Sequence, residues 1–246
     1  MSILALRDIS VAARNKDLEK TLIEGVSLSV ESGKIHILMG PNGSGKSSLL
    51  NAVMGHPAYK LTNGKVELDG SDITDLPTEK KAKAGLFLSL QHLPEIAGVS
   101  TTSFLHRAYK ELKGSDISPL DFYKQTEKRA IDAGIDPLYL KRNVNSGLSG
   151  GEKKLSEMLQ LLALEPKFAF LDEIDSGVDV DAMKKVYAGI NALKEKGIGF
   201  LLVSHYPNIL EHITPDTVSV MRGGKIVRTG GAALAKEIAE RGFEKI

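Results

Sequence analysis

The segment Gly40-Pro41-Asn42-Gly43-Ser44-Gly45-Lys46-Ser47-Ser48 contains the spacing G-x-x-x-x-G-K-[ST]. Its residue types suit phosphate. Glycines let the backbone close around phosphates, successive N–H groups at a helix start supply positive potential, Lys46 reaches the β- and γ-phosphates, and Ser47 offers a hydroxyl to Mg2+. A second chemical feature is Phe168-Ala169-Phe170-Leu171-Asp172-Glu173, an apolar run ending in two carboxylates. Open α/β sheets bind ligands at the carboxyl ends of their strands, which places Asp172 to hold Mg2+ and Glu173 to take a proton from an attacking water. The chemistry expected is hydrolysis of a nucleoside triphosphate.

These groups need elements to hold them. The runs 35–39, 168–171 and 198–204 are apolar without alternation, the mark of strands buried on both faces of a parallel sheet, and helix-periodic segments separate them. Strands are also expected at 3–6, 25–30 and 65–68, and a helix over 46–55 directly after the Gly-rich loop. From about 100 to 164 the pattern turns helical. Ser118-Pro119 reads there as an N-cap followed by Pro at the first helical position, with Leu120, Tyr123 and Ile131 giving the apolar spacing. A later helix begins near Asp181 and stops at Gly197, Gly223-Gly224 reads as a hairpin turn between 218–221 and 225–229, and 232–241 as a last helix.

The composition narrows the possibilities. The 246 residues carry 32 Lys+Arg against 31 Asp+Glu, a net charge of +1, and 42% are hydrophobic. A chain this long buries roughly three quarters of its surface on folding, so one large domain is affordable and a disordered tail is excluded. Interspersed charges give no broad basic field for nucleic acid or anionic lipid. The chain has no cysteine. That excludes disulfides, thiolate zinc sites and thiol catalysis, and means that any iron–sulfur cluster held through sulfur belongs to a partner. Apolar stretches fall far short of the roughly 20 residues a membrane span needs, so a cytoplasmic location without direct membrane insertion is expected.

Asn145-Ser146-Gly147-Leu148-Ser149-Gly150-Gly151-Glu152-Lys153-Lys154 opens an amphipathic helix. It resembles the LSGGQ signature of ABC-type ATPases. The resemblance implies ATP and Mg2+ as ligands, and that Ser149, Gly150 and Gly151 face the γ-phosphate bound by a second copy of the chain in an ATP-dependent head-to-tail dimer. Other positions match the family singly. Gln91 resembles the Q-loop glutamine that senses Mg2+, Asp179 the D-loop aspartate at the dimer interface, and His205 the switch histidine that bonds the γ-phosphate. The remaining His36, His56, His92, His106 and His212 show no ligand spacing and read as structural.

Within that class the wording Gln91-His92-Leu93-Pro94-Glu95-Ile96, Asp172-Glu173-Ile174-Asp175-Ser176-Gly177-Val178-Asp179 and Ser204-His205-Tyr206 resembles the SufC family of ATPases, which serve iron–sulfur cluster assembly. Ile174 and Leu148 depart from it, standing where Ser and Phe are common. The resemblance implies an α/β fold of the ABC-type P-loop NTPase kind, with a mostly parallel core sheet, an antiparallel β subdomain and a helical subdomain. It implies one ABC ATPase domain over 1–246, its core from 1–99 and 165–246 and its helical part from 100–164. It also implies soluble SufB/SufD-like scaffold partners that ATP hydrolysis drives through conformational change, and a pairing of Lys154 with Glu173. The rival reading is the nucleotide-binding subunit of a membrane ABC transporter. One family feature is missing: no aromatic residue precedes Tyr59, so the ring that normally stacks on adenine is absent, forgoing roughly 1–3 kcal/mol.

Overall fold

The computed structural model describes residues 1–14, 20–89, 94–174, 179–204 and 207–243. A four-stranded antiparallel sheet forms first, from β1 (Ile3–Ala13), β2 (Lys20–Glu31), β4 (Tyr59–Leu68) and β5 (Ser71–Asp72), in the order β2-β1-β4-β5. Alternation explains its sidedness: Ile23, Val26, Leu28 and Val30 of β2 are buried and polar residues lie between them. The strands run longer than the apolar pattern marks, because register shifts between Leu6 and Ile9 carry β1 past Asp8, whose φ is 52°.

The second sheet has the order β12-β11-β3-β10-β9-β6. Its strands are β3 (Ile35–Met39), β6 (Leu86–Leu88), β9 (Phe168–Asp172), β10 (Gly199–Ser204), β11 (Thr217–Arg222) and β12 (Lys225–Gly230). The first five run parallel and β12 closes one edge as an antiparallel hairpin partner of β11. Every residue of β3, β9 and β10 is buried, as the unbroken apolar runs require. One face, including Ile35, Ile37, Leu171 and Leu202, packs on α5 (Gly150–Leu164), α6 (Val180–Glu195) and α7 (Ala232–Arg241). The other, including Leu38, Phe170, Leu201 and Val203, packs on α1 (Lys46–Met54) and the antiparallel sheet. The mostly parallel core sheet with an antiparallel β layer is as expected.

Between β6 and α5 lie β7 (Ile96–Ser100), α3 (Thr101–Lys113), α4 (Pro119–Asp132), a 3-10 turn at Pro137–Leu140 and β8 (Asn143–Val144); α2 (Thr78–Ala84) precedes β6. Ser118 caps α4 by accepting from Asp121 N–H at 3.1 Å, with Pro119 in the first turn. The apolar face of α4 differs from expectation. Leu120 and Ile131 are 61% and 60% exposed, while Phe122, Thr126 and Ala130 are buried. Spacing alone could not choose between two plausible faces. No helix among the described residues is long and apolar enough to cross a membrane.

His36 lies inside the core of β3. Its Nδ1–H donates to Ser29 O at 2.9 Å and its Nε2 accepts from Ser219 Oγ at 2.9 Å, which uses both ring nitrogens in the neutral form. Burial holds its pKa below the ordinary value of 6.5, against the smaller upward pull of the Ser29 bond. The unfolded chain therefore takes up a proton first as pH falls, and stability drops from about pH 6.5 downward until the folded-state pKa is passed. We expect the melting temperature to fall between pH 7 and 5 more steeply in wild type than in His36→Gln, by about 2–4 °C for each kcal/mol involved. Parallel melting curves would remove His36 from the acid response.

Candidate functional site

The phosphate loop sits between β3 and α1. Gly45, at φ 107°, is the N-cap of α1, and it supplies no side-chain cap; the first turn carries no acid. The helix start thus keeps its N–H groups and its positive end for a ligand. Opposite it, β9 delivers Asp172 at the carboxyl end of the sheet, and Glu173 follows. Glu173 has φ 49°, a left-handed conformation costing a non-glycine residue about 1–2 kcal/mol, yet its N–H still bonds Val203 O at 3.1 Å. That turn sets the Glu173 carboxylate in the wall of a cleft of about 470 Å³ shared with Asn42, Gly43, Gly45, Lys46, Ser47, Ser48 and Leu22.

Lys46 is 5% exposed and donates to Gly40 O at 2.8 Å and Pro41 O at 3.0 Å. Burial lowers its pKa, and Glu173 and Asp172 counter that. Asp172 is 2% exposed, and burial raises its carboxyl pKa while a hydrogen bond from Ser47 pulls it down. Among the described residues Asp172 Oδ1 has no hydrogen-bond partner, and neither does Ser44 Oγ in the phosphate loop. Buried polar atoms left without partners are rare. A serine hydroxyl beside one carboxylate with an uncommitted oxygen is the hard-oxygen set that Mg2+ takes, the other positions going to phosphate and water. The residues present fit that ion.

The structure brings together the loop residues, Asp172 and Glu173. Ser149, Gly150 and Gly151 stand outside this cleft at the start of α5, and so does Asp179 at the start of α6. Ser149 caps α5 reciprocally: its Oγ accepts from Glu152 N–H at 3.3 Å, and Glu152 Oε2 accepts from Ser149 N–H at 2.8 Å. The S-x-x-E spacing at 149–152 was the available signal for this capping box. Asp179 Oδ1 accepts from Asp181 N–H at 3.1 Å and Ala182 N–H at 2.9 Å. Gln91 and His205 lie outside the described residues; β6 and β10, which precede them, both end at the carboxyl edge of the sheet. Lys154 meets Glu157 at 3.3 Å rather than Glu173.

Two contributors escape the sequence. Leu22 of β2 gives the cleft an apolar wall. The β11–β12 hairpin clamps the loop from behind: Gly224 N–H donates to Ser44 O at 3.0 Å, and a Cβ on Gly40 would stand 2.1 Å from Met221 O. A side chain on Gly224 would meet Leu22 O at 2.4 Å, so the hairpin turn is close-packed on β2 as well. Neither contact has a local signal, because both join residues far apart in the chain.

A sequence profile described as ABC transporter matches residues 23–176. Vegetative protein 296 of Bacillus subtilis (strain 168) is 42% identical over 247 residues, covering 100% of this chain and 93% of that protein. The probable ATP-dependent transporter ycf16 of Cyanophora paradoxa is 44% identical over 227 residues, covering 91% and 88%. Among solved structures, the ADP conformation of an ATP-binding cassette of an ABC transporter superposes with a TM-score of 0.76 at 27% identity, over 98% of this chain and 96% of that one.

Proposed function

Because the chain belongs to the ABC transporter family of ATP-binding cassettes, and is thereby an ATPase that binds ATP with Mg2+, we propose that it is the ATPase of a soluble iron–sulfur cluster assembly machine of the SUF kind. In this reading the chain is one cassette, with its core from 1–99 and 165–246 and its helical part from 100–164, and it works in the cytoplasm. Gly40 to Ser48 cradle the phosphates, Lys46 leaves the loop carbonyls for phosphate oxygens, and Ser47, Asp172 and Gln91 hold Mg2+. The ion, once bound, neutralises charge on the β- and γ-oxygens. Glu173 takes the proton of the attacking water and His205 bonds the γ-phosphate. Ser149, Gly150 and Gly151 of a second copy close over it, and Asp179 meets the facing subunit. Two anion sites in one chain that do not face the same cleft are the physical reason for a head-to-tail pair.

The observation that carries the partner assignment is the segment after Gln91. Its residues 96–100 form β7 and lead into α3, leaving Val99 37% and Phe104 36% exposed, apolar surface that a solvated connector does not need. A chain without cysteine leaves the cluster to that partner, a SufB/SufD-like scaffold. The names of the relatives favour a second reading, a transporter's ATP-binding subunit. Val99→Asp is the discriminating variant, since an exposed position changes without disturbing the core. We expect ATP binding to persist and capture of soluble scaffold chains from native lysate to weaken by roughly tenfold or more. An integral membrane protein as the main partner of the wild-type chain would select the transport reading.

A further inference from the structure

The segment that the proposed function gives to a partner is stitched, residue by residue, to the strand and helix that carry Ser149. Ile96 of β7 is in register with Val144 of β8. Beyond it, Thr101 N–H and its hydroxyl both donate to Arg142 O, at 2.8 and 3.0 Å, and Thr102 Oγ1 donates to Leu140 O at 2.7 Å. Lys153, on the first turn of α5, pairs with Glu95 at 3.0 Å. At the centre of these ties is Asn145, 2% exposed. Its Nδ2 donates to Pro94 O at 3.0 Å, and its Oδ1 accepts from Ser156 Oγ at 3.2 Å, two turns along α5. Its backbone is left-handed, φ 56°, a conformation that asparagine tolerates and most residues do not.

Asn145 thus spends a buried amide on joining three pieces: the loop at 94, its own strand end, and the body of the signature helix. Cores place a fully bonded polar group where a unique geometry matters, and a half-bonded one is costly. We propose that Asn145 is a positioning residue that makes 94–102 and 140–156 one rigid unit, so that a partner seated on Val99 moves Ser149 and Gly150 with it. Partner binding is then read at the signature end, which acts on the second copy's ATP, in addition to any path through Gln91. This rests on the docking reading above for its functional arm and stands apart from it for its structural arm.

The structural arm uses no partner. The chain lacks cysteine, so spin labels at Ala97→Cys and Gln160→Cys attach at those two sites alone. Wild type should give one narrow distance distribution, unchanged by ATP and Mg2+, and Asn145→Gly, which keeps the left-handed backbone but loses both side-chain bonds, should broaden it. A wild-type distance that moves with ATP, or an Asn145→Gly distribution as narrow as wild type, overturns the proposal. The functional arm compares turnover with and without the captured scaffold. Asn145→Gly should still capture it and keep KM for ATP within about twofold, while partner-stimulated kcat falls about fivefold or more. Ser156→Ala, which leaves the Pro94 bond in place, should keep at least half of the stimulation. Full stimulation in Asn145→Gly, or equal loss in Ser156→Ala, overturns it. If no scaffold is captured, the proposed function fails and the distance measurement alone decides on Asn145.

Discussion

Glu173→Gln is expected to leave ATP and Mg2+ binding intact and to cut turnover by roughly 10²- to 10⁴-fold, the range for removing a positioned general base. The argument is geometric. In the proposed function Lys46, Ser47 and Asp172 hold charge and metal, and none of them is altered by the change. Gln has the shape of Glu and the same difficulty with φ 49°, so the turn that sets position 173 in the cleft wall is kept at similar cost. What is lost is the ability to accept a proton. Phosphate release at saturating ATP and Mg2+, measured beside equilibrium nucleotide binding, separates the two. Turnover near the wild-type rate would take the base role away from Glu173.

Gly40→Ala should be the most damaging single methyl in the chain's phosphate loop. The added carbon would lie 2.1 Å from Met221 O and 3.1 Å from Ser44 Oγ, at φ 153°. The first of these is backbone held in a β hairpin and cannot swing aside. We expect a loss of about 3 kcal/mol or more in denaturant unfolding, within the class of large effects that follow from strain and overpacking, together with loss of nucleotide binding. Gly43→Ala is the control. It has nothing within 4 Å at φ 77° and should cost only about 1–2 kcal/mol of backbone strain. Equal stability of the two variants would show that the hairpin does not press on the loop.

Much of this site can be read from the chain because its parts are local. The phosphate loop is a contiguous stretch with strand before and helix after, and β9 and β10 are unbroken apolar runs too short for a helix. The errors fall where two surfaces compete or where partners are distant. Leu120 and Ile131 are as apolar as Phe122, and only the packing of α4 on its neighbours decides which side is buried. The strand at 96–100 pairs with two residues at 143–144, too short a partner to leave a pattern. Gly98 inside it, at φ 78°, lies where the register shifts between Ile96 and Ser100. The apolar wall at Leu22 is invisible for a different reason: a half-buried leucine on a strand is common.

The position of β3 has a bearing on how the protein is made. Its two neighbours in the sheet, β10 and β11, and the hairpin that presses on Gly40, all come from residues 199–230. A ribosome therefore releases the phosphate loop well before the strands that hold it exist, an interval on the order of ten seconds or longer at ordinary rates of synthesis. During that time the loop has neither its sheet nor its clamp, and the nascent chain has no formed cradle for ATP. Nucleotide binding becomes a late event of biogenesis that waits on the strands from 199 to 230, and a chain cut short before 221 lacks the backbone that presses on Gly40.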